Sequence, residues 1–180
     1  VYEIGFNPTE LPQLDLGVDL ATCTDFLSSG FEISDCTIRD NRARAIFIKA
    51  ANGVIKRNRI TGSTGQAIVV GPEFGPFYEA SFVETLLIED NRITDVGRTR
   101  FNAPQGGAIS IFAIGPSSGA SVFNLNTIAR DNGHIQILRN VIDRAGQCGI
   151  FAAAVHDLTI AENRLVGLQR NPFPPAWSNG

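Results

Sequence analysis

The sequence predicts an all-β fold: a right-handed parallel β-helix with three strands per coil, coils of about 22 residues and an internal asparagine ladder. Three observations predict it. The first is a recurring unit, clearest in Val54-Ile55-Lys56-Arg57-Asn58-Arg59-Ile60-Thr61-Gly62-Ser63-Thr64-Gly65-Gln66-Ala67-Ile68-Val69-Val70-Gly71: a short strand ending at an asparagine, a shorter strand, a polar turn and an apolar strand closed by glycine. No strand in it is long enough to bury a face alone, so the unit needs neighbours stacked on it. The second is register. Ile33, Ile38, Ala45 and Ile46 precede Ile55, Ile60, Ala67 and Ile68 by 22 residues each (55 − 33 = 22; 68 − 46 = 22), without a gap. The third is a column holding Cys36, Asn58, Asn91, Asn140 and Asn163 at one place in the unit. A leucine-rich repeat would show a leucine consensus, and paired-helix repeats a 3.6-residue period; neither is present.

Residues 1–30 do not fit the coil register. Val1-Tyr2-Glu3-Ile4-Gly5-Phe6 alternates like a strand and Asn7-Pro8 turns it, so this stretch is expected to form a β cap or appendage over an open solenoid end. Residues 31–170 are expected to be the β-helix proper. Its third coil repeats the first half as Ile88-Glu89-Asp90-Asn91-Arg92-Ile93 and the second as Ala108-Ile109-Ser110-Ile111, with eight extra residues between (109 − 88 = 21 against 68 − 55 = 13). Ile137 to Ile142 with Gly149-Ile150-Phe151-Ala152 return to the 13-residue spacing (150 − 137 = 13), and Ile160-Ala161-Glu162-Asn163-Arg164-Leu165 opens a last copy. Residues 171–180 form a tail, because the three prolines of Asn171-Pro172-Phe173-Pro174-Pro175-Ala176-Trp177 remove ladder donors. The asparagines are expected at tight corners, taking the left-handed backbone region and bonding one another at the strand spacing of about 4.8 Å. That makes them structural rather than catalytic, with Cys36 a buried substitute in the same column.

Composition narrows the function. A chain of 180 residues, 43% of them apolar, makes one domain of ordinary size. A net charge of −3 with basic residues scattered among acidic ones argues against a nucleic-acid partner. No apolar run is long enough to span a bilayer, so no membrane partner is expected. There is no leader-like segment, and the start on Val1 without a methionine fits a piece of a larger protein. No ligand spacing of the C-x-x-C or H-x-x-x-H kind occurs, so neither a metal nor another cofactor is expected. Of the three cysteines, Cys23 and Cys148 pair only if the fold brings them together.

The strand after the polar turn lines a surface groove. Its inward positions are Ile46 and Ile48, Ile68 and Val70, Ile109 and Ile111, Ile150 and Ala152. Alternation then sends Phe47, Val69, Ser110 and Phe151 outward, with Lys49, Gly71, Phe112 and Ala153 in the next row. The phenylalanines make a platform for the apolar face of a sugar, or else loops cover them. Two long insertions overhang this groove. Pro72 to Ala80 mixes Phe74, Phe77 and Tyr78 with Glu73 and Glu79; Gly115 to Asn132 ends in Ala129-Arg130-Asp131-Asn132-Gly133-His134. A third elaborated loop, Asp95 to Phe101, carries Arg98 and Arg100, where charge is ordinarily plain solvation.

Glu73 and Glu79 are the carboxylate pair in an aromatic-rich loop beside the groove, with Asp131 as an alternative partner. Inverting glycoside hydrolysis needs two carboxyl groups about 6.5–9.5 Å apart, one protonating the leaving oxygen and one activating water. Phe77 and Tyr78 would stack on the sugar, as would Phe47, Phe112 and Phe151, while Arg44 and Lys49 would bond hydroxyls. Asp35, Glu89, Asp90 and Glu162 sit on regular coils and are expected to face solvent. His134 and His156 lie at coil corners with no nucleophile nearby and are expected to be surface histidines.

Asn41-Arg42-Ala43-Arg44-Ala45-Ile46, followed by Phe77-Tyr78-Glu79 and then by Ile88 to Ile93, resembles the β-helix region of glycoside hydrolase family 110. Glu10-Leu11-Pro12 and Gly17-Val18-Asp19-Leu20 are similar to the β stretch that leads into it, so the resemblance covers residues 1–93. It implies an exo-acting, inverting α-galactosidase that removes terminal galactose without a metal, secreted or periplasmic in a bacterium. Ala45 stands where that family has glycine, Phe77 where tryptophan is expected, and Ala113-Ile114-Gly115-Pro116 lacks a carboxylate. The alternative from another class is a noncatalytic carbohydrate-binding or structural β-helix module. A calcium-dependent polysaccharide lyase fits less well, since clustered aspartates are missing.

Overall fold

The computed structural model describes residues 28–72, 82–98, 106–112 and 132–170. Among the described residues every regular element is a β-strand, and all pairings between strands are parallel. The strands are β1 (Phe31–Ser34), β2 (Thr37–Arg39), β3 (Ile46–Ile48), β4 (Asn52–Lys56), β5 (Arg59–Thr61), β6 (Ile68–Val70), β7 (Thr85–Glu89), β8 (Arg92–Val96), β9 (Gly107–Ile111), β10 (Ile135–Leu138), β11 (Val141–Ala145), β12 (Cys148–Ala152), β13 (Leu158–Ala161) and β14 (Arg164–Val166). Each third strand joins the same sheet. The first sheet runs β1-β4-β7-β10-β13, the second β2-β5-β8-β11-β14 and the third β3-β6-β9-β12. The ladder reaches from Ser28, whose carbonyl accepts from Ala51 N–H, to Arg170, whose N–H donates to Ala145 O. No described helix is long and apolar enough to cross a membrane.

The register is the one the 22-residue spacing predicts. Ile33 pairs with Ile55, Ile55 with Ile88, Ile88 with Ile137 and Ile137 with Ile160. In the second sheet Ile38, Ile60, Ile93, Ile142 and Leu165 stack the same way, and in the third Ile46, Ile68, Ile109 and Ile150. These columns fill the triangular interior. Ile55, Ile60, Ile68, Ile88, Ile93, Ile109, Ile137 and Ile142 have no exposed surface, so each removes nearly its whole side chain from water, a gain of about 2 kcal/mol apiece. The last described coil has no such cover: Ile160 is 48% and Leu165 42% exposed.

The asparagine column is an internal ladder. Asn58 Nδ2 donates to Asn91 Oδ1 at 3.0 Å, Asn91 Nδ2 to Asn140 Oδ1 at 2.9 Å and Asn140 Nδ2 to Asn163 Oδ1 at 3.0 Å. Each Oδ1 also accepts the backbone N–H of the preceding coil's column residue, from Cys36 onto Asn58 through Asn140 onto Asn163. Each Nδ2 reaches back to a strand carbonyl, as Asn91 does to Ile55 O at 2.9 Å. Two expectations are corrected here. The left-handed backbone belongs to the residue before each member of the column, Cys36 included: Asp35, Arg57, Asp90, Arg139 and Glu162 have φ between +52° and +57°. Turning the chain one residue early aims the next side chain inward, where an amide can work on three backbone and side-chain partners at once. Cys36 holds the column's place but is exposed, its thiol turned to Ser34 O at 3.2 Å, because a thiol cannot extend the amide chain.

The left-handed column alternates in sign from coil to coil, and its members pair. Arg57 Nε donates to Asp35 Oδ1 at 2.8 Å, and Arg139 Nε to Asp90 Oδ1 at 3.1 Å, with Glu89 also held by Arg139. At the next corner Arg144 clamps Asp95 through two bonds of 2.9 Å. The guanidinium hydrogen bonds hold the Asp35 and Asp95 carboxyls below their ordinary value of 3.8, and the Lys56 ammonium does the same for Glu32.

Asn91→Ala is expected to destabilise the protein by about 3 kcal/mol, because it strands the buried N–H of Asn58 as well as losing its own bonds. Asn163→Ala, at the less covered end, is expected to cost about 1 kcal/mol, and urea unfolding of the two variants measures the difference. A carboxyl whose folded pKa is depressed stabilises the fold above its unfolded pKa and loses that contribution as pH falls through the folded value. Thermal midpoints should therefore be level near neutrality and fall below about pH 4, with Asp95→Asn flattening part of that acid limb.

Candidate functional site

The groove strand is where the structure departs most from the alternation argument. Phe47, Val69, Ser110 and Phe151 do form one row across the third sheet. Its middle is sealed: Val69 and Ser110 have no exposed surface. Ser110 turns its hydroxyl to the backbone of Gly107, accepting from its N–H and donating to its carbonyl at 3.0 Å. Phe112, expected to offer a face to sugar, is 1% exposed and is a packing residue. An outward position on a sheet is wet only when nothing lies over it. Phe47 and Phe151 stay half-buried at opposite ends of the row, three strands or about 14 Å apart, so they are two separate contacts and not one platform.

At the β3 end three of the expected binding residues come together. The Arg44 guanidinium carbon lies 4.7 Å from the centre of the Phe47 ring and the Lys49 ammonium 4.5 Å from it. Asn41 fixes the approach to β3, its Nδ2 donating to Arg44 O at 2.7 Å. All three side chains are half-buried, which raises the value of a cation over a ring. Ile48 pairs with Val70, so Lys49 is level with Gly71, whose φ of +129° and close approach to Phe112 O leave no room for a Cβ. Two residues further the chain reaches Glu73. Glu73, Glu79, Phe77, Tyr78 and Asp131 lie outside the described residues, as do Cys23, Arg100 and the tail.

Asn132, at the end of a long insertion in the sequence, is a further structural residue. It is fully buried; its Oδ1 accepts Val83 N–H at 3.0 Å and its Nδ2 donates to Ala154 O at 3.1 Å, clipping the corner between the third and first sheets. It pairs in parallel with Val155, 23 residues on (155 − 132 = 23), the same offset that separates Ile137 from Ile160.

The family described as right handed beta helix region matches residues 17–171. The chain belongs to that family. No curated protein and no solved structure matches it. The match gives the coil its hand and leaves activity open, since the fold supports many sites.

Elsewhere on the β-helix, a shallow groove between the second and third sheets is lined by Gly65, Gln66, Gly97, Gly106, Gly146 and Gln147, with no titratable group. Burial pushes the Cys148 thiol up, away from reactivity, and it is unpaired, its Sγ 3.6 Å from Gly106 O. His134 and His156 are exposed, as expected for corner histidines, but the coil brings both to Asp157. His134 Nδ1 is 3.2 Å and His156 Nε2 4.0 Å from Asp157 Oδ2.

Phe112→Ala should cost about 3 kcal/mol or more in unfolding free energy, the range for emptying a buried phenylalanine site. Denaturant unfolding checks it, and a loss under about 1 kcal/mol would contradict the packing role.

Proposed function

We propose that this β-helix binds a glycan at the β3 end of its third sheet, on Phe47 with Arg44 and Lys49, and acts on it as an exo-acting, inverting glycoside hydrolase of the α-galactosidase kind. The observation that carries the reading is the position of this cluster, level with the point where β6 gives way to the segment bearing Glu73, Phe77, Tyr78 and Glu79. A guanidinium and an ammonium held over one aromatic ring present N–H donors side by side, which suits the hydroxyl-rich edge of a saccharide. Glu79 and Glu73 are assigned as the carboxylate pair, one protonating the leaving oxygen and the other activating water, with Asp131 as an alternative partner; the resemblance of Phe77-Tyr78-Glu79 to glycoside hydrolase family 110 supports the choice of Glu79.

A noncatalytic glycan-binding module is the second reading, and one observation favours it. The strands of the third sheet, Ile46–Ile48, Ile68–Val70, Gly107–Ile111 and Cys148–Ala152, contain no carboxylate. The described Asp35, Asp90, Asp95 and Asp143 are all engaged by arginines. An acid–base pair on this face therefore has to come from outside the strands of the third sheet.

Hydrolysis of an aryl α-galactoside should fall by about 10²–10⁴-fold in Glu79→Gln and in Glu73→Gln. Activity that survives both substitutions would remove the catalytic assignment. Binding of galactosides measured calorimetrically should weaken by about 10-fold in Arg44→Ala and in Lys49→Ala, as for a lost hydrogen bond to a charged group. Binding that depends on these residues without any turnover by the unsubstituted chain would select the module.

A further inference from the structure

We propose that the corner formed by His134, His156 and Asp157 binds a divalent transition-metal ion of the zinc class. The sequence shows no local ligand spacing there; the coil creates one. Ile135 pairs with Leu158, so His134 is level with Asp157 on the next coil and Gly133 is level with His156. One ligand atom from each of the three side chains lies within 4.8 Å of the other two, and His134 Nδ1 is 3.2 Å from Asp157 Oδ2. An ion with tetrahedral bonds of about 2.0–2.2 Å holds its ligand atoms about 3.3–3.6 Å apart. The observed separations of 3.2 and 4.0 Å straddle that figure, so small side-chain rotations close the site. Two imidazole nitrogens and one carboxylate oxygen suit zinc and its neighbours better than calcium or magnesium, which take mainly oxygen.

The backbone beneath the corner is fixed on both coils. His134 and Asp157 both turn in the left-handed region, at φ +42° and +48°, so the two side chains leave the solenoid at matching places. Gly133 makes room for the neighbouring ring: a Cβ there would sit 2.6 Å from His156 Nε2. The histidine rings meet edge to face, 5.5 Å apart and 77° between planes. His156 N–H donates to Asn132 O at 2.8 Å, tying this ligand to the buried Asn132 clip. Three protein ligands leave one tetrahedral position for water or for an oxygen of a bound molecule. An ion held there links two successive coils through side chains, in addition to their backbone ladder.

The competing account is an ion pair between His134 and Asp157 with no affinity for metal. Zinc and cobalt(II) titrations of tag-free protein decide between them. The expected result is one ion per chain at micromolar concentration and a cobalt spectrum of tetrahedral intensity without the thiolate charge-transfer band that cysteine ligation would add. The chain has only two histidines, so the imidazole NMR signals of both should shift together. His134→Asn, which keeps a residue tolerant of the left-handed turn, His156→Ala and Asp157→Asn should each weaken binding by about 10-fold or more. Because the three side chains are exposed, the metal-free variants should unfold at nearly the midpoint of the unsubstituted chain. An adventitious ion only, seen as millimolar affinity or as binding that persists in the His134→Asn/His156→Ala double variant, would overturn the proposal.

Discussion

The asparagine ladder is the constraint on which the rest of this molecule depends. A three-stranded coil must change direction at each corner, and every corner exposes backbone groups that neither adjoining strand can satisfy. Asn58, Asn91 and Asn140 satisfy them from inside, each amide accepting a main-chain N–H from one neighbouring coil and donating to the next asparagine. The isoleucine columns supply the hydrophobic gain, but without the ladder the same apolar stacks would fit several rotations of one coil against another. Polar partners with directional bonds select one of them.

Fixing the corner fixes the surface. Because the asparagine always follows a left-handed residue, the three sheets begin at the same place in every coil, and side chains one coil apart become neighbours. That is how His134 meets Asp157 from 23 positions away (157 − 134 = 23), whereas Arg44, Phe47 and Lys49 gather within a single coil, around one strand. Asn132 shows the same device at another corner, with a single amide holding the return of the chain to the first sheet.

Most of the architecture was legible in the sequence because periodicity is a local property that survives folding: the 22-residue offset gave the pairings of Ile33, Ile55, Ile38 and Ile60 residue for residue. The surface was harder to read. Alternation says which way Val69, Ser110 and Phe112 point, but not whether anything lies above them, and all three prove to be buried. The column was identified as a ladder while its backbone conformation was placed one residue late, since composition favours asparagine for a left-handed turn and Arg57 or Arg139 would not be chosen on that ground. The histidine and aspartate cluster was hidden for a different reason: His156 and Asp157 adjoin along the chain, but His134 joins them only across it, one coil away.

The charged column on the outer edge has a consequence for how the chain finds its threading. In a repeat protein the hazard is that a coil skips its neighbour and docks on the one beyond, where the apolar columns match almost as well. Asp35, Arg57, Asp90, Arg139 and Glu162 alternate in sign, so every such skip sets like against like, Asp35 on Asp90 or Arg57 on Arg139. Correct neighbours attract and next neighbours repel. The edge thereby acts as a parity check, rejecting arrangements that the greasy interior alone would accept.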